Sequence, residues 1–145
     1  MCGIAGIMYK GEAQTFDTGE ALIRMLDGCQ HRGPDSTGFA LYGEARPGEL
    51  KLRFFLDDKS DSKAGIEVIQ QRLSELGAVI TAESEIGANY RVTAKYDADV
   101  QNLAYEMERA ARVISIGTSL EIVKDVGSAH DVDDRYSVGE YQGSH

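Results

Sequence analysis

From Lys51 to about Gly127 the apolar residues change rhythm repeatedly, and the order of those rhythms limits the fold more than any other feature of the chain. Lys51 to Leu56 (KLRFFL) reads as a strand. Ile66, Ile69, Leu73 and Leu76 then recur at helical spacing, and Gly77 stands where a helix C-terminal cap belongs. Ala78 to Glu83 is a second strand. In a third, Tyr90, Val92, Ala94 and Tyr96 alternate with other residues. Val100, Leu103, Ala104, Met107 and Ala111 mark another helix. Val113 to Val123 is again strand-like, with a break at Gly117. The order β-α-β-β-α-β is that of a split βαβ unit, which closes a four-stranded sheet under two helices. It reads as a small domain inserted between two strands of another; the alternative is that its elements extend one larger α/β sheet.

The flanks belong to that other domain. Gly3 to Tyr9 (GIAGIMY) is apolar on both faces and predicts a central strand. Residues 11 to 16 form a loop. Asp17 with Glu20 predicts a capping-box helix start, followed by Ala21, Leu22, Met25, Leu26 and Cys29 on one helical face. Gly28 loosens the end of this helix, and Pro34 prevents its resuming. Gly38 to Tyr42 predicts a second strand, and Ala45 to Glu49 carries Pro-Gly turn chemistry. Ser128 to His145 is polar, with Asp131, Asp133 and Asp134 clustered, and reads as a returning loop. The expected division is therefore 1–50, an insert over 51–127, and a return over 128–145.

Composition narrows the function classes. The formal charge of −9 argues against nucleic acid, whose phosphates need basic patches, and against an anionic membrane surface. No run approaches the ~18 apolar residues of a membrane span, and no basic region followed by an apolar one marks a secretory leader. Two cysteines are no disulfide framework, so a reducing cytoplasm is expected. His31, His130 and His145 form no ligand-spaced set with one another or with a cysteine, and no metal or other cofactor is expected. Glycine-rich phosphate loops are absent. Cys29 reads as a packed core thiol.

The chemistry points to Cys2. Removal of Met1 would leave one residue bearing both a thiol, with a reference pKa of about 8.5, and an α-amine, at about 7.7–8.0. The amine is partly neutral near pH 7 and can take the thiol's proton, the arrangement of an activated nucleophile. An incidental thiol is the alternative. The opening Met1-Cys2-Gly3-Ile4-Ala5-Gly6-Ile7, together with His31-Arg32-Gly33-Pro34-Asp35-Ser36-Thr37-Gly38 after a helix, resembles the class II (N-terminal nucleophile) glutamine amidotransferases. The resemblance covers about residues 1 to 42.

The resemblance implies an α+β fold, part of an N-terminal-nucleophile hydrolase sandwich (αββα), into which the βαββαβ order of the elements places a ferredoxin-like insert. It implies that Cys2 attacks the carboxamide of glutamine, that Gly3 leaves the backbone beside it free to turn, and that Arg32 holds the chain end. Arg32 in a surface ion pair with Asp35 is the alternative. Gly33 and Asp35 would shape the loop over the site. Such enzymes release glutamate and pass ammonia to a synthase partner. The insert makes the stand-alone subunits related to glutamate synthase the most similar, although HRGPD also suits asparagine synthetase-like enzymes. The family's later motifs, which supply the oxyanion hole and the grip on the glutamine α-amine, are not in this sequence. The expectation is therefore an N-terminal piece of a longer protein, weakly active or inactive alone, with a degenerate relative as the alternative. Two other functions stay open: a non-catalytic partner- or effector-binding module, and an N-terminal-nucleophile hydrolase acting on other amides.

Overall fold

The computed structural model describes residues 3–10, 17–29, 36–56 and 62–143. In chain order the elements are α1 (Thr18–Asp27), β1 (Thr37–Tyr42), β2 (Glu49–Phe55), α2 (Ser62–Glu75), β3 (Val79–Ile86), β4 (Asn89–Lys95), α3 (Val100–Glu108), β5 (Arg112–Gly117), β6 (Leu120–Asp125), α4 (Ala129–Tyr136) and a 3₁₀ turn (Val138–Glu140). They fall into two compact units. One is Ala45–Glu121; the other joins Met1–Glu44 to Ile122–His145.

In the Ala45–Glu121 unit the strand order is β3-β4-β2-β5, with every neighbouring pair antiparallel. Because successive side chains alternate faces, Leu50, Leu52 and Phe54 of β2 share one face with Tyr90, Val92 and Ala94 of β4. Ile69 and Leu73 of α2, with Leu103 and Met107 of α3, complete that core. Gly77 closes α2 with a positive φ of 85°. Its N–H donates to the Ser74 carbonyl at 3.0 Å, and the Ala78 N–H donates to that of Leu73 at 2.9 Å. These two bonds are the Schellman pair that satisfies the last helix carbonyls. Asp99 caps α3 by accepting from the Gln101 N–H at 2.9 Å.

The other face of β2 and β4 carries Arg53 and Arg91. Arg91 donates twice to Glu121, at 2.8 Å each, and Arg53 donates at 3.2 Å. Lys51 adds an ion pair at 3.7 Å. Burial pushes the Glu121 carboxyl up, but the Arg91 hydrogen bonds and the charges of Arg91 and Arg53 outweigh it and hold the group at about 2.

In the second unit β1 and β6 form a two-stranded sheet. Its core is Leu22 and Ile23 of α1, Phe39 and Leu41 of β1, Val123 of β6, Ala129 and Val132 of α4, and Val138. α1 and the 3₁₀ turn meet backbone to backbone. A Cβ on Gly19 would stand 1.8 Å from the Val138 carbonyl oxygen, so only glycine fits.

Four expectations are corrected here. Residues 3–10 form no strand: no described strand lies in register beside them, and without a neighbour to receive its N–H and C=O groups an apolar run has no ladder. Ile4 and Met8 are exposed. Asp17 stands at the N-cap of α1, but its side chain makes no capping hydrogen bond. The buried stripe of α1 runs through Thr18, Leu22 and Ile23, which leaves Met25 outside. Finally, the return over 128–145 is largely helical. Ser128 and Asp131 form a reciprocal capping box, and Ala129 and Val132 supply enough apolar surface to seat α4. The unit boundaries lie at 44/45 and 121/122, because the turn before β2 goes with β2 and most of β6 goes with β1.

Candidate functional site

Of the candidate residues, Gly3 is described; Cys2, Arg32, Gly33 and Asp35 lie outside the described residues. The site is therefore built outward from Gly3. Its neighbour is Cys29, just beyond the C-terminus of α1, whose N–H donates to the Leu26 carbonyl at 2.8 Å. A Cβ on Gly3 would stand 2.6 Å from the Cys29 Cβ and 3.3 Å from its Sγ. The absence of a side chain at position 3 is thus a packing requirement as well as a conformational freedom. Cys29 is half-buried rather than part of the core, because it lies past the last helical turn and faces this N-terminal stretch. No periodicity in the sequence pairs position 29 with position 3. The only hint was that Cys29 extends the helix face beyond Gly28.

Beside Gly3 opens a cavity of about 390 Å³. Ile7, Leu22, Leu26, Phe39 and Tyr42 are among the residues that line it. α1 provides one wall through Leu22 and Leu26. β1 provides another through Gly38, Phe39, Ala40 and Tyr42.

The C-terminal stretch braces this arrangement, a role that reading it as a loop had missed. The Gly19 N–H donates to the Tyr141 carbonyl at 2.9 Å. The Thr18 hydroxyl donates to the Gly143 carbonyl, and the Tyr141 hydroxyl to that of Tyr42. On the surface, His130 of α4 meets Asp27 at the end of α1 at 2.9 Å. That carboxylate raises the His130 pKa, chiefly through the hydrogen bond, with Asp133 and Asp134 adding to the effect. Asp125 of β6 accepts from Tyr136 at 2.9 Å and pairs with Arg135 at 2.9 Å. Burial raises its pKa, but the Val126 N–H, Tyr136 and Arg135 together bring it below the usual range.

Among the described residues no group of three His, Cys, Asp or Glu side chains is placed to hold a metal ion. No described helix is long and apolar enough to cross a membrane.

No protein-family model matches the chain. It is 32% identical over 152 residues to a protein of Methanothermobacter thermautotrophicus provisionally named a glutamine amidotransferase, an alignment covering 100% of this chain and 50% of that protein. It is 32% identical over 146 residues to the glutamine amidotransferase-like protein GlxB of Rhizobium meliloti, covering 100% of this chain and 48% of that protein. The chain spans about half the length of the curated relatives it matches. Across its whole length, then, it is similar to proteins named as glutamine amidotransferases or as like them.

Proposed function

We propose that the chain is the N-terminal part of a class II glutamine amidotransferase, in which Cys2 releases ammonia from glutamine for a synthase-type partner. The observation that carries this reading is similarity along the whole chain to proteins so named, joined to Cys2-Gly3 at the start and His31-Arg32-Gly33-Pro34-Asp35 after α1. On this reading the unit of residues 45–121 is the ferredoxin-like insert, and the remainder is part of the N-terminal-nucleophile sandwich.

The chemistry follows from one residue holding two groups. The free amine of Cys2 takes the thiol proton. The sulfur then attacks the side-chain carbonyl of glutamine, and the tetrahedral adduct expels ammonia as the amine returns the proton. Water hydrolyses the thioester to glutamate. The small neighbour Gly3 and the apolar cavity beside it suit a bound side chain held away from bulk water, where each polar contact counts for more. Arg32, Gly33 and Asp35 would shape and anchor the chain end.

The test is covalent trapping with a glutamine analogue that carries a diazoketone in place of the carboxamide, followed by peptide mass mapping. Labelling of Cys2 and not Cys29, blocked by glutamine, is expected. Equal labelling of both thiols, or of neither, would favour a non-catalytic module. Labelling blocked by other amides but not by glutamine would favour a hydrolase of a different specificity.

A further inference from the structure

We propose that the Ala45–Glu121 unit carries a binding site of its own, a cavity for a small carboxylate with an apolar body, recognised through Arg112. The site lies within that one unit and does not rest on the glutaminase reading.

The cavity opens where the end of β2, the first turns of α2 and the turn from α3 to β5 meet, and its volume is about 360 Å³. Small-molecule sites run from about 300 to 1,000 Å³, whereas voids left by imperfect packing seldom exceed a water molecule. The residues around it explain the space. Gly65 of α2, with Ala110 and Ala111 ahead of β5, line it, and none has a side chain long enough to fill it. Leu56 and Ile69 line it too, and both belong to the core of the unit, at 6% and 1% exposed. An apolar ligand resting on them would extend that core.

Charge selects the ligand. Among the described lining residues Arg112 is the charged one. Its guanidinium carbon lies 4.8 Å from the centroid of the Phe55 ring, within the ~6 Å reach of a cation–π contact. Phe55 lines the cavity as well, so this contact holds the cation beside it. Five donors in a planar fork let one arginine grip a carboxylate while serving other partners. No described lining residue carries a carboxylate to receive an ammonium group, so an apolar acid fits better than an amine or an amino acid. At about 30 Å³ per non-hydrogen atom, water's share of liquid volume, the cavity holds roughly a dozen such atoms. That is the chemistry and size of an aromatic or branched aliphatic monocarboxylate.

The experiment titrates the full chain with phenylacetate, and with phenylacetamide as its uncharged isostere, and follows the backbone amides by two-dimensional NMR. Saturable shifts at Gly65, Ala110, Ala111 and Arg112 are expected, with the acid bound about tenfold or more tightly than the amide. Arg112→Gln should bring the acid down to the affinity of the amide, and Arg112→Lys should restore part of the difference. Gly65→Leu should occupy the cavity and block both ligands. A Cβ at position 65 meets Leu56 at an ordinary 3.6 Å, and unchanged β4 amide shifts would show that each variant is folded. No saturable shift, equal affinity for acid and amide, or an Arg112→Gln variant that binds as before would overturn the proposal. Absence of diazoketone labelling at Cys2 with these shifts intact would defeat the glutaminase reading alone.

Discussion

At the scale of single residues, two positions have consequences out of proportion to their size. Gly3 is required where it is because the Cys29 Cβ occupies the space a larger residue needs. Gly3→Ala should therefore lower unfolding stability by about 1–3 kcal/mol, the usual cost of overpacking. Cys29→Gly, which removes the colliding atom, should recover most of that loss in the double variant. Denaturant unfolding of the four proteins in the cycle measures the coupling. Glu121 is the second case. It gathers Arg91, Arg53 and Lys51 on the second face of the sheet. Glu121→Gln leaves those cations without their carboxylate and should cost about 1–3 kcal/mol at neutral pH. Its folded pKa of about 2 lies below the ordinary value of 4.5. The stabilisation is thus complete above the ordinary value and is lost as pH falls from there through the folded value. The wild type should lose stability through that window more steeply than Glu121→Gln, as chemical denaturation at stepped pH would show.

At the scale of elements, α4 shows how a helix forms with little apolar surface. It holds Ala129 and Val132 buried, with Tyr136 packed at the edge, and His130, Asp131, Asp133, Asp134 and Arg135 fill the rest of its length. So thin a stripe hides behind its charges, which is why the segment reads as a loop. The legible signal was Ser128 followed by Asp131, the reciprocal cap that stabilises the first turn. Ser128→Ala should cost about 1 kcal/mol, seen as faster amide hydrogen exchange in the first turn of α4. In the 45–121 unit, by contrast, β2, α2, β4 and α3 were legible because each carries apolar residues at its own period into the core, and Gly77 marks the stop of α2. The link between α1 and α4 is sensitive to pH. His130 titrates above its ordinary value of 6.5 because Asp27 holds its charged form. That contribution is complete below the unfolded pKa and disappears as pH rises through the raised folded one. Proton NMR of the imidazole should find the raised midpoint, and Asp27→Asn should return it toward 6.5.

At the scale of the whole molecule, the chain builds two cores from separate sets of residues. Leu50, Leu52, Phe54, Leu73 and Met107 belong to one, and Leu22, Phe39, Val123 and Val132 to the other. The chain passes out of the second unit after β1 and returns to it in β6, so a local reading of periodicity could find the insert but could not see that β6 comes back to pair with β1. The candidate site shows the same division of what is legible. Cys2 and the His31–Asp35 segment declare themselves as sequence motifs, whereas the contact of Gly3 with Cys29 and the bracing of α1 by residues 138–143 exist only once distant segments have met. The two cores also predict how the molecule comes apart. Among the described residues, the Ala45–Glu121 unit has a four-stranded sheet under two helices, while the other unit has a two-stranded sheet with a smaller core. A two-stranded sheet is marginal unless helices cover it. The second unit should therefore unfold first, with the insert persisting to higher temperature. Val132→Ala, which empties a fully buried position on α4, should lower the first transition and leave the second in place. Leu73→Ala, equally buried on α2, should do the reverse at about 2–5 kcal/mol. Calorimetry of both variants decides the matter. A single transition that shifts alike in each would mean that the two cores unfold as one cooperative body.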